Sequence, residues 1–248
     1  MAKTFKAPEI MSSQLSSFCG GCGHGTIMRV LAEAIEELGI SEKTIINIGI
    51  GCYCALGSLI QVDSMDVPHG RAPAVATGIK RLRPENIVIT YQGDGDISSI
   101  GCGEIVHAAA RNEKITSIFV NNGVYGMTGG QMAPTTLPHQ VTATSPKGRD
   151  PEVSGMPLKL SEMLSVFPVA YIARGSVHSV KEINHTKAYI KKAIQMQLEG
   201  KGFSMVEILS PCPTNWHLKP TVAQDRIETE VIPYYQLGEF VEEGRRIK

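Results

Sequence analysis

An α/β fold, built as a doubly wound and mainly parallel sheet with helices on both faces, is what this sequence predicts. Three observations predict it. Short apolar, β-branched runs recur along the chain, as in TIINIGI, IVITY and SMVEIL. Segments with apolar residues at helical spacing separate them. The loops that follow the apolar runs carry the Gly, Asp, Asn and Cys residues, and sheets of this kind place ligands at the carboxyl ends of their strands.

The elements follow in order. Residues 24–38 place Ile27, Val30, Leu31, Ala34, Ile35 and Leu38 on one helical face, and Gly39 stands as the C-cap. Thr44 to Ile50 reads as a buried strand. Val75 to Leu82 reads as a helix stopped by Pro84, and Asn86 to Tyr91 as a second buried strand. A helix ends over Ile105 to Arg111, and Ile115 to Val120 is the next strand. From Thr128 to Pro157 the chain turns polar and rich in Gly, Pro, Ser and Thr, which is long for a loop and points to function. Val169 to Ala173 is a strand, His178 to Leu198 a long helix, and Phe203 to Leu209 a last strand. The tail after Pro213 shows no clear period. No repeat, low-complexity tract or linker divides the 248 residues, which are read as one domain with an N-terminal cysteine-bearing segment and a C-terminal tail, 213–248.

Composition narrows the function classes. The chain is 42% hydrophobic, and its 24 basic and 24 acidic residues cancel. Zero net charge carries no electrostatic footprint for nucleic acid. No apolar run approaches the ~20 residues of a membrane span. The first residues, MAKTFKAPEIMSSQLSS, contain no apolar stretch of signal-peptide type. A cytoplasmic protein is expected, in which clustered cysteines bind metal more often than they form disulfides.

Two motifs carry chemistry. GDGD at 93–96 directly follows a strand, and NNG at 121–123 follows the next. Gly93 and Gly95 can take positive φ and let a ligand come close to the backbone. Asp94 supplies a hard oxygen suited to Mg²⁺. Asn122 lies 28 residues beyond Asp94. A helix of about 14 residues descends ~21 Å, and a strand of about six climbs back ~20 Å. The two side chains therefore return to one sheet edge. The second motif is FCGGCGHG at 18–25, with Cys19 and Cys22 in CxxC spacing just before the first helix. Cys52 ends the first strand and Cys212 follows the last. The same down-and-back path brings Cys52 near Cys22. Four thiolates there could hold a 4Fe–4S cluster or a zinc ion, and CxxC alone fits zinc, redox and structural roles equally.

GDG followed by NN resembles the thiamine diphosphate motif. That resemblance implies a sheet of the thiamine-diphosphate-binding type, with Mg²⁺ held by Asp94, Asn122 and the carbonyl of Val124, and with Gly93 and Gly95 lining the diphosphate. The ordered set CGGCG (19–23), GIGC (49–52), HGRAPAVATGIK (69–80), GDGD (93–96), VNNGVYGMTGGQ (120–131) and PCPT (211–214) resembles the β subunit of 2-oxoacid:ferredoxin oxidoreductases from about residue 15 to about 215. NWHLKPT and IPYYQLGEF resemble the tails of small bacterial β subunits more loosely. The chain departs from the pattern at Phe18 and Gly20, where Trp and Pro are usual.

The resemblance maps four 4Fe–4S ligands onto Cys19, Cys22, Cys52 and Cys212, and leaves Cys54 and Cys102 as core thiols. It puts His69 and Arg71 in the site, Arg71 towards a substrate carboxylate, with a structural ion pair as the other reading of Arg71. His24, at the N-terminus of the first helix, is placed to touch the cofactor phosphate, with a capping or packing role as the other reading. Tyr125 and Thr128 lie just beyond the Mg²⁺ loop on the cofactor side, Thr128 as a diphosphate contact. His178 and His185 read as surface or packing residues. The implied reaction is oxidative decarboxylation of a 2-oxoacid, with 2-oxoglutarate or a branched-chain acid favoured, to acyl-CoA and CO₂. Electrons leave through the cluster to a ferredoxin. The Glu that activates the cofactor belongs to a second, pyrimidine-binding domain, so an α subunit, a γ subunit or domain, and a ferredoxin-like acceptor are implied as partners. Two rivals explain less. A non-oxidative thiamine diphosphate decarboxylase or synthase leaves the cysteines idle. A zinc-stabilised module using Cys19, Cys22, Cys52 and Cys54 leaves GDG…NN idle.

Overall fold

The structure is a computed structural model that describes residues 6–248. In chain order the strands are β1 Thr44–Ile48, β2 Asp63–Asp66, β3 Ile87–Gly93, β4 Thr116–Asn121, β5 Val124–Tyr125, β6 Gln131–Met132, β7 Tyr171–Ser176, β8 Ser204–Leu209, β9 Gly238–Glu242 and β10 Arg245–Arg246. The helices are α1 Gly23–Glu37, α2 Leu56–Leu59, α3 Ala72–Leu82, α4 Cys102–Ala110, α5 Pro151–Ser154, α6 Leu160–Leu164, α7 Val180–Leu198, α8 Pro213–Trp216, α9 Pro220–Arg226 and α10 Ile232–Tyr234. Eight strands form one sheet in the order β10-β9-β7-β8-β4-β3-β1-β2, and β5 and β6 form a separate two-stranded ribbon.

The six strands from β7 to β2 are parallel, and β9 runs antiparallel against β7 with a bulge at Ile172/Ala173. The central strands are buried on both faces, and their alternating side chains feed two cores. Ile89, Ile118, Val120 and Val206 pack with α1 and α7 through Leu31, Ile35, Ile190 and Ile194. Val88, Phe119 and Met205 point the other way, to Ile97, Ile105 and Leu160. The predicted doubly wound sheet with helices on both faces is what forms.

Boundaries differ where local chemistry wins. The first strand stops at Ile48, because Gly49–Cys52 already turns. The third helix starts at Ala72, three residues earlier than predicted, since Pro73 suits a first turn. The long helix starts at Val180 behind Ser179, whose hydroxyl accepts from the Glu182 N–H, so His178 precedes it. The strand expected at Val169 begins at Tyr171 and runs on to Ser176. Between β3 and α4 the five residues Asp96–Ile100 wind as a π turn, closed by the Gly101 N–H on the Asp96 carbonyl at 2.9 Å. The exposed edge strand β2 has no apolar periodicity and went unpredicted. The tail that shows no period folds as three short helices and the β9–β10 hairpin.

The predicted loop 128–157 holds a strand, a short helix and an organiser. Buried Arg149 donates from Nη1 to the Pro134 and Thr136 carbonyls, each at 2.9 Å, from Nε to Gly155 at 2.9 Å, and from Nη2 to Ser154 and Met156. One guanidinium thus satisfies carbonyls that have no ladder to join.

Candidate functional site

The neighbours β8, β4, β3 and β1 end on one edge of the sheet. The loops leaving them carry Cys212, Asn122, Asp94 and Cys52 respectively. Two adjoining cavities open there. One, of about 160 Å³, is lined by His69, Asp94, Asn122, Tyr125 and Thr128. The other, of about 270 Å³, is lined by Cys19, Cys22, Cys52 and Cys212. His24, Cys52, Asn122, Gly126 and Met127 border both. A larger cleft of about 710 Å³ lies between Leu137–Val141 and the tail helices, and none of the candidate metal or cofactor residues lines it.

Asp94 is buried at the tip of β3. One carboxylate oxygen accepts from the Gly95 N–H at 2.8 Å, and the other accepts from the Gly123 N–H and the Thr135 hydroxyl, both at 2.7 Å. The Gly123 bond joins the GDG turn to the NNG turn directly. Gly123 sits at φ 69°, which lets the chain reverse at that point. Burial pushes the Asp94 carboxyl up to about 6, against the pull of Thr135 and the Gly95, Gly123 and Asn122 N–H groups. Among the described residues no Lys, Arg or His pairs with it. A buried carboxylate with neutral partners only is suited to a cation. Asn122 presents its side-chain oxygen to the Val124 N–H at 3.1 Å.

The glycines do not use their freedom to take positive φ. Neither Gly93 nor Gly95 takes positive φ, and Gly95 lies at −64°. They are needed for close approach: a Cβ on Gly95 would fall 2.1 Å from the Tyr125 ring, and one on Gly93 would fall 3.1 Å from the Tyr53 ring.

Asp96, the second Asp of GDGD, was passed over in the sequence. It is buried and accepts from four donors: His69 Nδ1 at 2.6 Å, the Gly70 N–H, the Tyr53 hydroxyl at 2.9 Å and Gln92 Nε2 at 3.0 Å. His69 therefore carries its proton on Nδ1 and turns its remaining edge to the cavity. His24 is buried between Phe18, Tyr53 and Tyr91, with Nδ1 3.0 Å from the Tyr91 hydroxyl. Burial lowers its pKa to about 4, so it is neutral at physiological pH. It does not cap α1, which has Cys22 at its N-cap and no side-chain cap.

All six cysteines are free. Burial raises the Cys22 thiol to about 12 and the Cys52 thiol to about 11, with the neighbouring thiols adding to the rise, and Cys212 moves the same way. Such thiols stay protonated at neutral pH unless a bound cation displaces the proton. Among the described residues no three His, Cys, Asp or Glu side chains gather closely enough for one ion. Cys19, Cys22, Cys52 and Cys212 line one cavity, a four-thiol donor set that fits a 4Fe–4S cluster. Cys54 lies outside that lining. It is half-buried, its sulfur accepts from the Gly51 N–H at 3.3 Å, and it faces the Gly49 carbonyl. Cys102, expected in the core, is half-exposed at the start of α4.

The remaining candidates divide. Arg71 is half-exposed, ion-paired with Glu104, and lines neither cavity. The Thr128 hydroxyl donates to Gln131 at 2.6 Å at the cavity rim. His178 bonds Ser176 and His185 faces solvent beside Glu182. Sequence reasoning missed the support behind the NN turn. Asn121 points inward and donates to Glu207 at 2.8 Å, and Glu207 in turn pairs with the fully buried Arg174 at 2.8 Å. Thr135 lies 41 residues from Asp94, a separation that no motif signals.

Comparison with known proteins agrees with this geometry. The family described as thiamine pyrophosphate enzyme, C-terminal TPP binding domain, matches residues 49–208. The chain is 48% identical over 224 residues to the ketoisovalerate oxidoreductase subunit VorA of Methanothermobacter thermautotrophicus, covering 90% of this chain and 47% of that one. The chain thus spans about half the length of that relative. It is 38% identical to the 2-oxoacid:ferredoxin oxidoreductase subunit beta of Saccharolobus solfataricus, over 80% of this chain and 63% of that one. A solved 2-oxoglutarate:ferredoxin oxidoreductase from Magnetococcus marinus superposes with a TM-score of 0.75 at 32% identity, covering 90% of this chain and 73% of that one. With its parallel sheet, its GDG and NN turns joined at one edge and these relatives, the chain belongs to the β-subunit family of the 2-oxoacid:ferredoxin oxidoreductases.

Proposed function

We propose that this chain carries thiamine diphosphate, Mg²⁺ and a 4Fe–4S cluster in an enzyme that oxidatively decarboxylates a 2-oxoacid to acyl-CoA and CO₂ and delivers the electrons to a ferredoxin. The observation that carries this reading is the pair of adjoining cavities. One holds a buried carboxylate whose hydrogen-bond partners are all neutral, beside Asn122, the other four thiols, and Cys52 and Asn122 border both. Electron transfer between two centres needs them close, and this arrangement supports it. A decarboxylase without redox chemistry has no use for the thiol cavity.

Bound thiamine diphosphate would supply the electron sink that lets CO₂ depart from the substrate. Asp94, Asn122 and the Val124 carbonyl would hold Mg²⁺ on the diphosphate. Cys19, Cys22, Cys52 and Cys212 would hold the cluster. Gly93 and Gly95 leave the diphosphate room, with Tyr125 and Thr128 at the rim. His69, fixed by Asp96, offers one ring edge to the cavity, and His24 stays neutral in the wall between the two sites. Arg71 is a surface ion-pair residue in this reading.

The cavity lining bears on the substrate. It includes Ile50, Tyr53, Val124, Tyr125 and Met127 beside the cofactor-holding groups, and no Lys or Arg. An apolar wall without a cation suits a branched-chain 2-oxoacid, whereas a second carboxylate such as that of 2-oxoglutarate would stand there unpaired. The name of the VorA relative accords with this, and its identity exceeds the 35% of the 2-oxoglutarate synthase subunit KorB of Archaeoglobus fulgidus. Coenzyme A as acyl acceptor accords with the Magnetococcus structure, which is described with coenzyme A and succinyl-CoA bound. Residues 6–248 act as one cofactor-carrying unit, and an α subunit supplies the carboxylate that activates the cofactor. A γ subunit or domain and a ferredoxin complete the assembly in the cytoplasm. Among the described residues no helix is long and apolar enough to cross a membrane.

Anaerobic reconstitution with iron and sulfide tests the reading. A brown protein with a broad band at about 400 nm and four irons per chain is expected. With the α partner added, 2-oxoisovalerate should reduce a ferredoxin faster than 2-oxoglutarate does. Colourless protein holding one zinc would overturn it.

A further inference from the structure

One side-chain amide touches both sites. Asn215 lies in α8, three residues beyond Cys212, and its Nδ2 has two protons to give. It donates to the Gly126 carbonyl at 3.0 Å and to Cys212 Sγ at 3.4 Å. Gly126 is where the two sites meet: a Cβ there would lie 3.1 Å from Cys52 Sγ, 3.5 Å from Asn215 Nδ2 and 3.8 Å from Asn122 Nδ2. The same short helix reaches the Mg²⁺ loop a second time through Trp216, whose Nε1 donates to the Asn122 carbonyl at 3.1 Å. The turn of α8 is itself closed by the Trp216 N–H on the Cys212 carbonyl at 3.0 Å.

We propose that Asn215 is a positioning residue that raises the reduction potential of the cluster by donating to its Cys212 sulfur, held at that angle by the Gly126 carbonyl. A cluster gains one negative charge on reduction, and the thiolate sulfurs carry part of it. A donor aimed at a ligand sulfur stabilises the reduced form more than the oxidised one, so its removal lowers the potential. Anchoring the amide on Gly126 keeps its orientation dependent on the loop that bears Asn122, so the cofactor loop and the electron acceptor are held in one register. The inference rests on the cluster reading above.

The test is an anaerobic redox titration of the full chain, reconstituted with ferrous iron and sulfide and followed by the EPR signal of the reduced cluster. Asn215→Leu keeps the size and removes both donors. Asn215→Asp keeps the shape, removes the donors and adds a negative charge. With iron content equal to wild type, both variants should show a lower midpoint potential, and the Asp variant the lower of the two. An unchanged or raised midpoint in the Leu variant overturns the inference. So does loss of iron from both variants with circular dichroism unchanged, because the amide would then build the site without tuning it. If only the Leu variant loses iron, the Asp midpoint decides by the same criterion. Failure of the wild-type chain itself to take up four irons would sink the cluster reading instead, and is distinguished by iron analysis before any titration.

Discussion

A carboxylate buried without a counter-charge is a strain on the folded chain, and Asp94 is one. Its pKa rises from 3.8 to about 6 on burial. Between those values the folded chain keeps a proton that the unfolded chain has already lost, so stability falls as pH climbs through that window. The difference of about two pH units amounts to about 3 kcal/mol, fully felt above pH ~6 and absent below ~4. In Asp94→Asn the substituted amide cannot titrate. The stability of the cofactor-free variant relative to wild type should therefore improve by about 3 kcal/mol as pH rises from ~4 to ~7, measured by urea unfolding. The same variant should lose Mg²⁺-dependent thiamine diphosphate binding in calorimetry. Thr135→Val removes one donor to Asp94 and no ligand, and should weaken Mg²⁺ binding about 10-fold or more. The thiols separate in the same way. Cys212→Ala should strip iron from the reconstituted chain, whereas Cys54→Ala, outside the cavity, should keep it near wild type. The reverse result would make Cys54 the fourth ligand.

The segment after the NN turn shows how an element without regular structure is made rigid. Backbone groups there have no ladder, and Arg149 answers the carbonyls of residues 134, 136, 154, 155 and 156 from one buried side chain. Tyr235 from the tail donates from its hydroxyl towards the Thr135 and Leu158 carbonyls at 3.0 and 3.1 Å, which ties the tail to the residue that bonds Asp94. Arg149→Met should leave those carbonyls buried and unpaired and destabilise the chain by about 2–4 kcal/mol. Limited proteolysis should then cut first between residues 128 and 157, at a rate well above wild type. Thiamine diphosphate affinity should fall with it, because Thr135 loses its frame. A variant as protease-resistant as wild type would mean that the tail alone holds the segment.

At the scale of the molecule, one sheet edge gathers the candidate metal and cofactor residues, and Arg71 lies outside it. None of the two cavities' walls supplies a Glu to activate a pyrimidine ring. The chain loaded with cofactor and cluster should therefore not oxidise a 2-oxoacid alone, and activity should appear when the α partner is added. Turnover by the single chain, assayed by ferredoxin or viologen reduction, would show that the activating group lies in this polypeptide.

The helices read at 24–38 and 178–198, each to within two residues of its start, the buried parallel strands and the edge that collects Asp94, Asn122, Cys52 and Cys212 were legible in the sequence. Local periodicity and the fixed rise of helix and strand determine them, and both act within about 30 residues. Strand β2, the antiparallel β9–β10 pair and the short tail helices were not legible, because their residues follow no period and are held by a sheet edge that exists only after folding. The chemical neighbourhood was also beyond sequence reasoning: Thr135 on Asp94, Asp96 on His69, Glu207 on Asn121 and Asn215 on Cys212. Residue types and spacings determined which atoms could meet a metal or a cofactor. Only the tertiary structure decided which partners hold those atoms in place, since packing joins positions across gaps of 27 to 86 residues as readily as within one turn.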